Sequence, residues 1–401
     1  RNLLAEEHDS CGIVAVIEND GQAKRANMLD TIDALIKMEH RSGFIEGEGD
    51  GCGILTDIPR SLWAQKLTAK GLPGELAYDR RFVVGHFFIP RVGEKDAYAS
   101  RIQAALIAAD LEILLSELNQ VNSHVLGPNG RKDEPDFLQI ALKAKNDSTV
   151  LAKKLFDLAI QLEEELPIQV ASLSDTTVIY KVMGAANVLP KYFKDLTKSQ
   201  FQTVATIGHN RYSTNTLSNF FRVQPFSLLG HNGEINTVRK LQDEAKMINV
   251  PLAEGASDSQ DLNRVVETLI HRYGFSLFEA MELVFPPIIH EIKHLPDDLK
   301  DLYMYFRQTW GHYAQGPAGI VSRYGDECVF SVDALGLRPL WYVQTERTTY
   351  FSSEQGIVPV HRMVREPKPL APGEKVGIRL KDGGLQVYEH HALQQVVLER
   401  A

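Results

Sequence analysis

The stretch His8-Asp9-Ser10-Cys11-Gly12-Ile13-Val14-Ala15-Val16-Ile17 sets a cysteine directly before a short apolar, β-branched run. Such a run reads as a buried strand. A thiol at the mouth of a core strand stands on stiff backbone, the support that a nucleophile needs. Cys11 is therefore a candidate to attack an amide. Residues 1–10 then read as a leader whose removal makes Cys11 the N-terminus. The competing reading makes Cys11 a small buried hydrophobe, the usual role of a free cysteine.

The 401 residues suffice for one large domain or two to three ordinary ones. A hydrophobic fraction of 44% and a charged fraction of 24% are those of a soluble globular chain. A net charge of −9 argues against a general nucleic-acid binder. Cys11, Cys52 and Cys328 are too widely spaced for a zinc pattern or a disulfide framework. They suit a reducing compartment, which makes the cytoplasm the default. No apolar run reaches membrane-spanning length, and no secretory segment opens the chain. The first residue, Arg rather than Met, reads as a processing boundary or a cut.

Beyond the first strand, Met28, Leu29, Ile32, Leu35 and Ile36 recur on one helical face within residues 25–39. The run Gly47-Glu48-Gly49-Asp50-Gly51-Cys52-Gly53 implies unusual backbone angles or close approach by other atoms. It lacks the lysine of a phosphate loop. Cys52 within it reads as a packing residue. Residues 54–58 read as a second strand. Residues 60–205 look like an elaboration, with strands at 81–90 and 176–182 and helices at 97–114 and 148–166. From residue 203 a strand runs into the polar string Asn210-Arg211-Tyr212-Ser213-Thr214-Asn215-Thr216. A short strand at 227–230 leads into His231-Asn232-Gly233-Glu234. Helices fill 258–313, and short strands dominate from residue 318 to about 380. Strand blocks at both ends, with helix blocks near each, predict stacked sheets covered by helices. No linker divides the chain, which predicts one domain.

Amide hydrolysis by a thiol needs a nucleophile, a base, an oxyanion site and substrate anchors. The α-amine of an N-terminal cysteine, with an ordinary pKa of about 7.7–8.0, can take the thiol proton; an internal amide nitrogen cannot. Asn232 and Gly233 offer a side-chain NH₂ and a backbone N–H as oxyanion donors. The plainer reading of Asn-Gly is a hairpin turn. The planar fork of Arg211 suits a substrate carboxylate and Asp258 suits an ammonium. A surface arginine and a helix-capping aspartate are the alternatives.

In order, Cys11-Gly12, Met38-Glu39-His40-Arg41, Gly47–Gly53, Arg211-Tyr212-Ser213-Thr214-Asn215-Thr216, Gly230–Thr237, Ser257-Asp258-Ser259, Gly316-Pro317-Ala318 and Gly336-Leu337-Arg338-Pro339 span nearly the whole chain. This ordered set resembles the class II glutamine amidotransferases, and most of all the glutaminase domain of the glutamate synthase large subunit. The resemblance implies an α+β, four-layer αββα N-terminal-nucleophile (Ntn) hydrolase fold, with two antiparallel sheets stacked between helix layers. It implies cleavage of the glutamine side-chain amide through a γ-glutamyl thioester, with release of ammonia. Cys11 is then the nucleophile, with Asn232 and Gly233 as oxyanion donors. Arg211 binds the substrate carboxylate and Asp258 its ammonium. Arg41 lies beside the cysteine, and Tyr212 and Thr214 line the pocket.

The same resemblance implies a leader at 1–10 and a single amidotransferase domain over 11–401. It implies no metal and no cofactor in this chain. The flavin (FMN) and iron–sulfur cluster belong to a separate synthase domain or subunit that accepts the ammonia. The implied partners are glutamine and that synthase, with no nucleic acid and no membrane. An unprocessed, silent glutamine-binding homologue and an amidotransferase serving another synthase are the alternatives.

Overall fold

The structure is a computed structural model that describes residues 11–93, 95–146, 149–212, 219–235, 238–309 and 316–401. In chain order its strands are β1 (Gly12–Glu18), the short pair β2 (Phe44–Ile45) and β3 (Glu48–Gly49), β4 (Cys52–Asp57), β5 (Phe82–Ile89), β6 (Leu111–Leu118), β7 (Asp136–Ala144), β8 (Gln169–Ser174), β9 (Thr177–Val182), β10 (Ala205–Asn210), β11 (Leu229–Gly233), β12 (Ala318–Tyr324), β13 (Glu327–Val332), β14 (Trp341–Gln344), β15 (Thr348–Ser352), β16 (Lys368–Pro369), β17 (Lys375–Lys381) and β18 (Gly384–Tyr388).

β1 is buried along its whole length because both of its faces are covered. It lies between β10 and β15 in the antiparallel sheet β16-β14-β15-β1-β10-β4-β9. Side chains alternate across a strand. Val14 and Val16 therefore pack outward against Met28, Ile32 and Leu35 of the helix Arg25–Lys37. Ile13, Ala15 and Ile17 point the other way and meet Val321, Phe330 and Ile378. Those three residues belong to the second antiparallel sheet, β11-β12-β13-β17-β18. Phe330 and Phe351 stack across the interface with ring centroids 3.9 Å apart. The far face of the second sheet carries the helices Asp258–Tyr273, Leu277–Val284 and His390–Arg400 through Val266, Phe278 and Leu393. Helix, sheet, sheet, helix is the four-layer α+β order expected from the sequence.

The elaboration has its own antiparallel sheet, β6-β7-β5-β8. The helices Lys95–Ala108 and Leu151–Glu165 cover it through Ile102, Leu106, Leu155 and Leu162. β9 then returns to the main sheet beside β4, so the stretch 60–205 includes one strand of the central core. The helix expected over 97–114 stops at Ala108, and residues 111–118 form β6. Asp110, at φ 59°, turns the chain there. Leu111, Ile113 and Leu115 face β7 across a bulge.

Candidate active site

β10 ends at Asn210, paired with Gly12 on one side and Cys52 on the other. The chain continues the line of the sheet for two more residues. Arg211 donates its N–H to the Gly51 carbonyl at 2.8 Å. Tyr212, alternating, turns its N–H toward the β1 side, where Cys11 Sγ accepts it at 3.3 Å. The sulfur thus takes the place of the next ladder carbonyl, which fixes it at the sheet end. The Cys11 S–H in turn reaches the Tyr212 carbonyl at 3.8 Å.

The glycine run supports this end. A Cβ on Gly49 would lie 2.5 Å from the Ala185 nitrogen, and one on Gly53 would lie 2.5 Å from the Gln224 carbonyl oxygen. Close approach by other atoms, the second option read from the sequence, is therefore what these glycines permit. Cys52 is fully buried in the core, as a packing residue would be.

Burial raises the Cys11 pKa, while the Tyr212 N–H and the Arg211 charge pull it down and Asp50 opposes them. Arg211 is itself shifted down by burial, against the attraction of Cys11 and Asp50. Its Nη1 donates to the Arg222 carbonyl at 2.6 Å. Asp50 is buried within the glycine run and completes a Cys11–Arg211–Asp50 group. It was missed in the sequence reading. The available signal was a carboxylate held between Gly49 and Gly51 in a run of alternating glycines.

Arg41 lies close to the start of β1. Its backbone neighbourhood is right, since its Cβ lies 3.6 Å from where a Gly12 Cβ would stand. Its Nε, however, is paired with Glu354, which also binds His40. Arg211 is a cation whose charge lowers the Cys11 pKa.

Asn232 and Gly233 end β11, the edge strand of the second sheet. Asn232 is paired with Gly319, whose missing Cβ faces Ile13 Cδ1 at 3.6 Å. Asn232 therefore points into the space between the sheets, on the side that Ile13 and, two residues earlier, Cys11 face. Its amide is fully buried, and neither its nitrogen nor its oxygen has a hydrogen-bond partner among the described residues. Glu234 donates to Pro317 and Arg323 donates to Leu228, so the even-numbered residues of β11 carry the ladder to β12. The Gly233 N–H then points off the free edge, as that of His231 does toward Gln224 Oε1 at 3.0 Å. A side chain at Gly233 is excluded, because its Cβ would stand 1.8 Å from the Pro317 carbonyl at φ 107°.

Asp258 is the first residue of a helix capped by a reciprocal Ser257–Gln260 box. Ser259 bonds the His231 ring, which ties this helix start to the strand of Asn232. Burial raises the Asp258 pKa. Thr214 lies outside the described residues. Among the described residues no cluster of His, Cys, Asp and Glu is arranged to hold a metal ion, and no helix is long and apolar enough to cross a membrane.

Two antiparallel sheets stack face to face, with the Cys11 thiol at the end of a strand line in one and the buried Asn232 amide near the end of β11 in the other. The chain belongs to the class II glutamine amidotransferases, whose family pattern (Glutamine amidotransferases class-II) matches residues 11–400. It is similar to the glutamate synthase (NADPH) large chain of Azospirillum brasilense, with 28% identity over 95% of this chain and 27% of that protein. It is also similar to the glutamate synthase (NADH) of Saccharomyces cerevisiae, with 30% identity over 92% of this chain and 19% of that protein. The chain thus spans about a quarter or less of these relatives. A looser likeness is to the glutamine phosphoribosylpyrophosphate amidotransferase of B. subtilis, at 16% identity and a TM-score of 0.36 over 77% of this chain and 49% of that one.

Proposed function

We propose that this chain hydrolyses the side-chain amide of glutamine and passes the ammonia to a synthase domain or subunit of the glutamate synthase type. The observation that carries the reading is the Tyr212 N–H on Cys11 Sγ, with Arg211 beside it and, on the facing sheet, an Asn232 amide unpartnered among the described residues. With Cys11 at the N-terminus, its α-amine takes the thiol proton. The thiolate then attacks the amide carbon, and Asn232 Nδ2 and the Gly233 N–H hold the oxyanion. Collapse breaks the C–N bond, and the proton on the amine leaves with the nitrogen as ammonia. Water next attacks the γ-glutamyl thioester, the C–S bond breaks, and glutamate departs as the thiol regains its proton. Arg211 holds the substrate carboxylate, Asp258 its ammonium, and Tyr212 and Thr214 line the pocket.

The amine must be free, so residues 1–10 act as a leader and residues 11–401 as one amidotransferase domain with the 60–205 elaboration. Flavin and iron–sulfur chemistry belongs to the synthase portion. Three free cysteines fit a cytoplasmic setting. The test is a protein that begins at Cys11, assayed for ammonia release from L-glutamine, with the acyl group trapped and mapped by mass spectrometry. Label on Cys11 is the expected result. A thioester on any other residue, or equal turnover with the decapeptide still attached, removes the assignment.

A further inference from the structure

Lys181 is a charged residue in a place where packing alone calls for an apolar one. It sits on β9 opposite Gly53, 2% exposed, between the rings of Phe88 and Phe226 at 5.9 and 5.6 Å. Burying an ammonium is costly unless hydrogen bonds replace its water. Here Nζ donates to the Phe221 carbonyl at 3.2 Å and to the Val223 carbonyl at 3.1 Å. Burial and the Arg211 charge lower its pKa to about 7, with Glu163 opposing.

The carbonyl between those two belongs to Arg222, and it accepts Arg211 Nη1 at 2.6 Å. The same strap reaches the rest of the site. A Cβ on Gly51 would come within 2.5 Å of Val223 Cγ2, and the Gln224 side chain accepts the His231 N–H beside Asn232. Gln169 also donates to Phe221, at 2.9 Å, from the elaboration. Lys181 thus grips the strap at two points that flank the Arg222 carbonyl, which accepts from the arginine.

We propose that Lys181 is a positioning residue for glutamine hydrolysis, holding the 221–223 strap so that the Arg222 carbonyl aims Arg211 at the substrate carboxylate. This rests on the reading of Arg211 given under the proposed function. Aim affects binding of a group remote from the scissile amide, so its loss falls on KM more than on kcat.

The experiment uses the protein beginning at Cys11. Lys181→Met is expected to raise the KM for glutamine about 10-fold while kcat changes less than about 3-fold. Lys181→Arg, which keeps the charge and the donors, stays within about 3-fold of the parent KM. In an Arg211→Gln background, Lys181→Met costs nothing further, because the two residues act in series. Melting curves verify folding. Should Lys181→Met not fold, Lys181→Gln carries the same test with an intermediate rise in KM. An unchanged KM, or the full 10-fold loss added on top of Arg211→Gln, overturns the proposal. A parent protein that releases no ammonia sinks the function itself, which is a separate outcome.

Discussion

Tyr212 gives its backbone N–H to Cys11 Sγ at 3.3 Å, two residues past the last two-sided rung of β10. The contact belongs to the backbone, so the phenol ring is not what steadies the sulfur. A hydrogen bond to a charged group contributes about 1.5–3 kcal/mol, or one to two pKa units. Tyr212→Phe should therefore leave the pH profile of iodoacetamide alkylation at Cys11 where it is. Tyr212→Pro, which removes the donor, should move the midpoint up by about one unit. Equal midpoints for the two variants contradict this account.

Arg211 faces two demands that pull the same way. Its charge lowers the Cys11 pKa against burial, and its guanidinium, steadied by the Arg222 carbonyl, is the proposed partner of the substrate carboxylate. Arg211→Gln should raise the thiol midpoint and raise the KM for glutamine by about 10-fold or more. Arg211→Lys should recover the midpoint but not the KM, since a point charge lacks the planar pair of donors. Recovery of both by lysine would mean that charge alone matters.

Asn232 predicts a split between activity and stability. Its amide is buried with both polar atoms unpartnered among the described residues, which costs about 1–3 kcal/mol in the resting protein. Removing one oxyanion donor costs about 10²–10³ in turnover. Asn232→Ala should lose that activity without lowering the melting temperature. Gly233→Ala should instead destabilise the protein by more than about 2 kcal/mol, because the Pro317 carbonyl occupies the space at a positive φ. An Asn232→Ala protein that melts well below the parent marks a structural role for the amide.

The core was legible where one periodicity ruled. The continuous apolar run from Ile13 to Ile17 formed a buried strand as read, and the helix after it formed too, with Met28, Ile32 and Leu35 buried but Leu29 and Ile36, read onto the same face, exposed. Leu111–Leu118 fits both the strand and the helix period, and only the turn at Asp110 decides for a strand. The site divides in the same way. Cys11, Arg211, Asn232 and Asp258 stand in motifs, so type and order pointed to them. Asp50 and Lys181 act through folded neighbours. Asp50 faces Arg211 from another strand end, and Lys181 grips carbonyls some 40 residues away in the chain. Arg41, a motif residue, also pairs with Glu354, 313 positions distant, a contact that no motif announces.

Buried histidines set the acid limit of the fold. Burial lowers His209 to about 3 and His231, His86 and His271 to about 4. His209 Nε2 lies 3.0 Å from the His231 carbonyl, and His86 Nδ1 lies 2.9 Å from the Ile179 carbonyl, so each can donate as a neutral ring. In the unfolded chain a histidine titrates near 6.5. Between about pH 6.5 and 4 the unfolded state thus binds more protons than the folded one, and stability falls as pH falls. It is fully present above pH 6.5. Each such ring accounts for about 2 kcal/mol at pH 5. Buried carboxylates raised by desolvation, such as Glu267 and Asp175, work in the opposite sense but begin from a lower range. The urea midpoint should therefore drop steadily from pH 7 to pH 5, and His271→Gln should flatten that slope by about a quarter. A midpoint that holds constant over this interval shows that these rings are not buried as neutral groups.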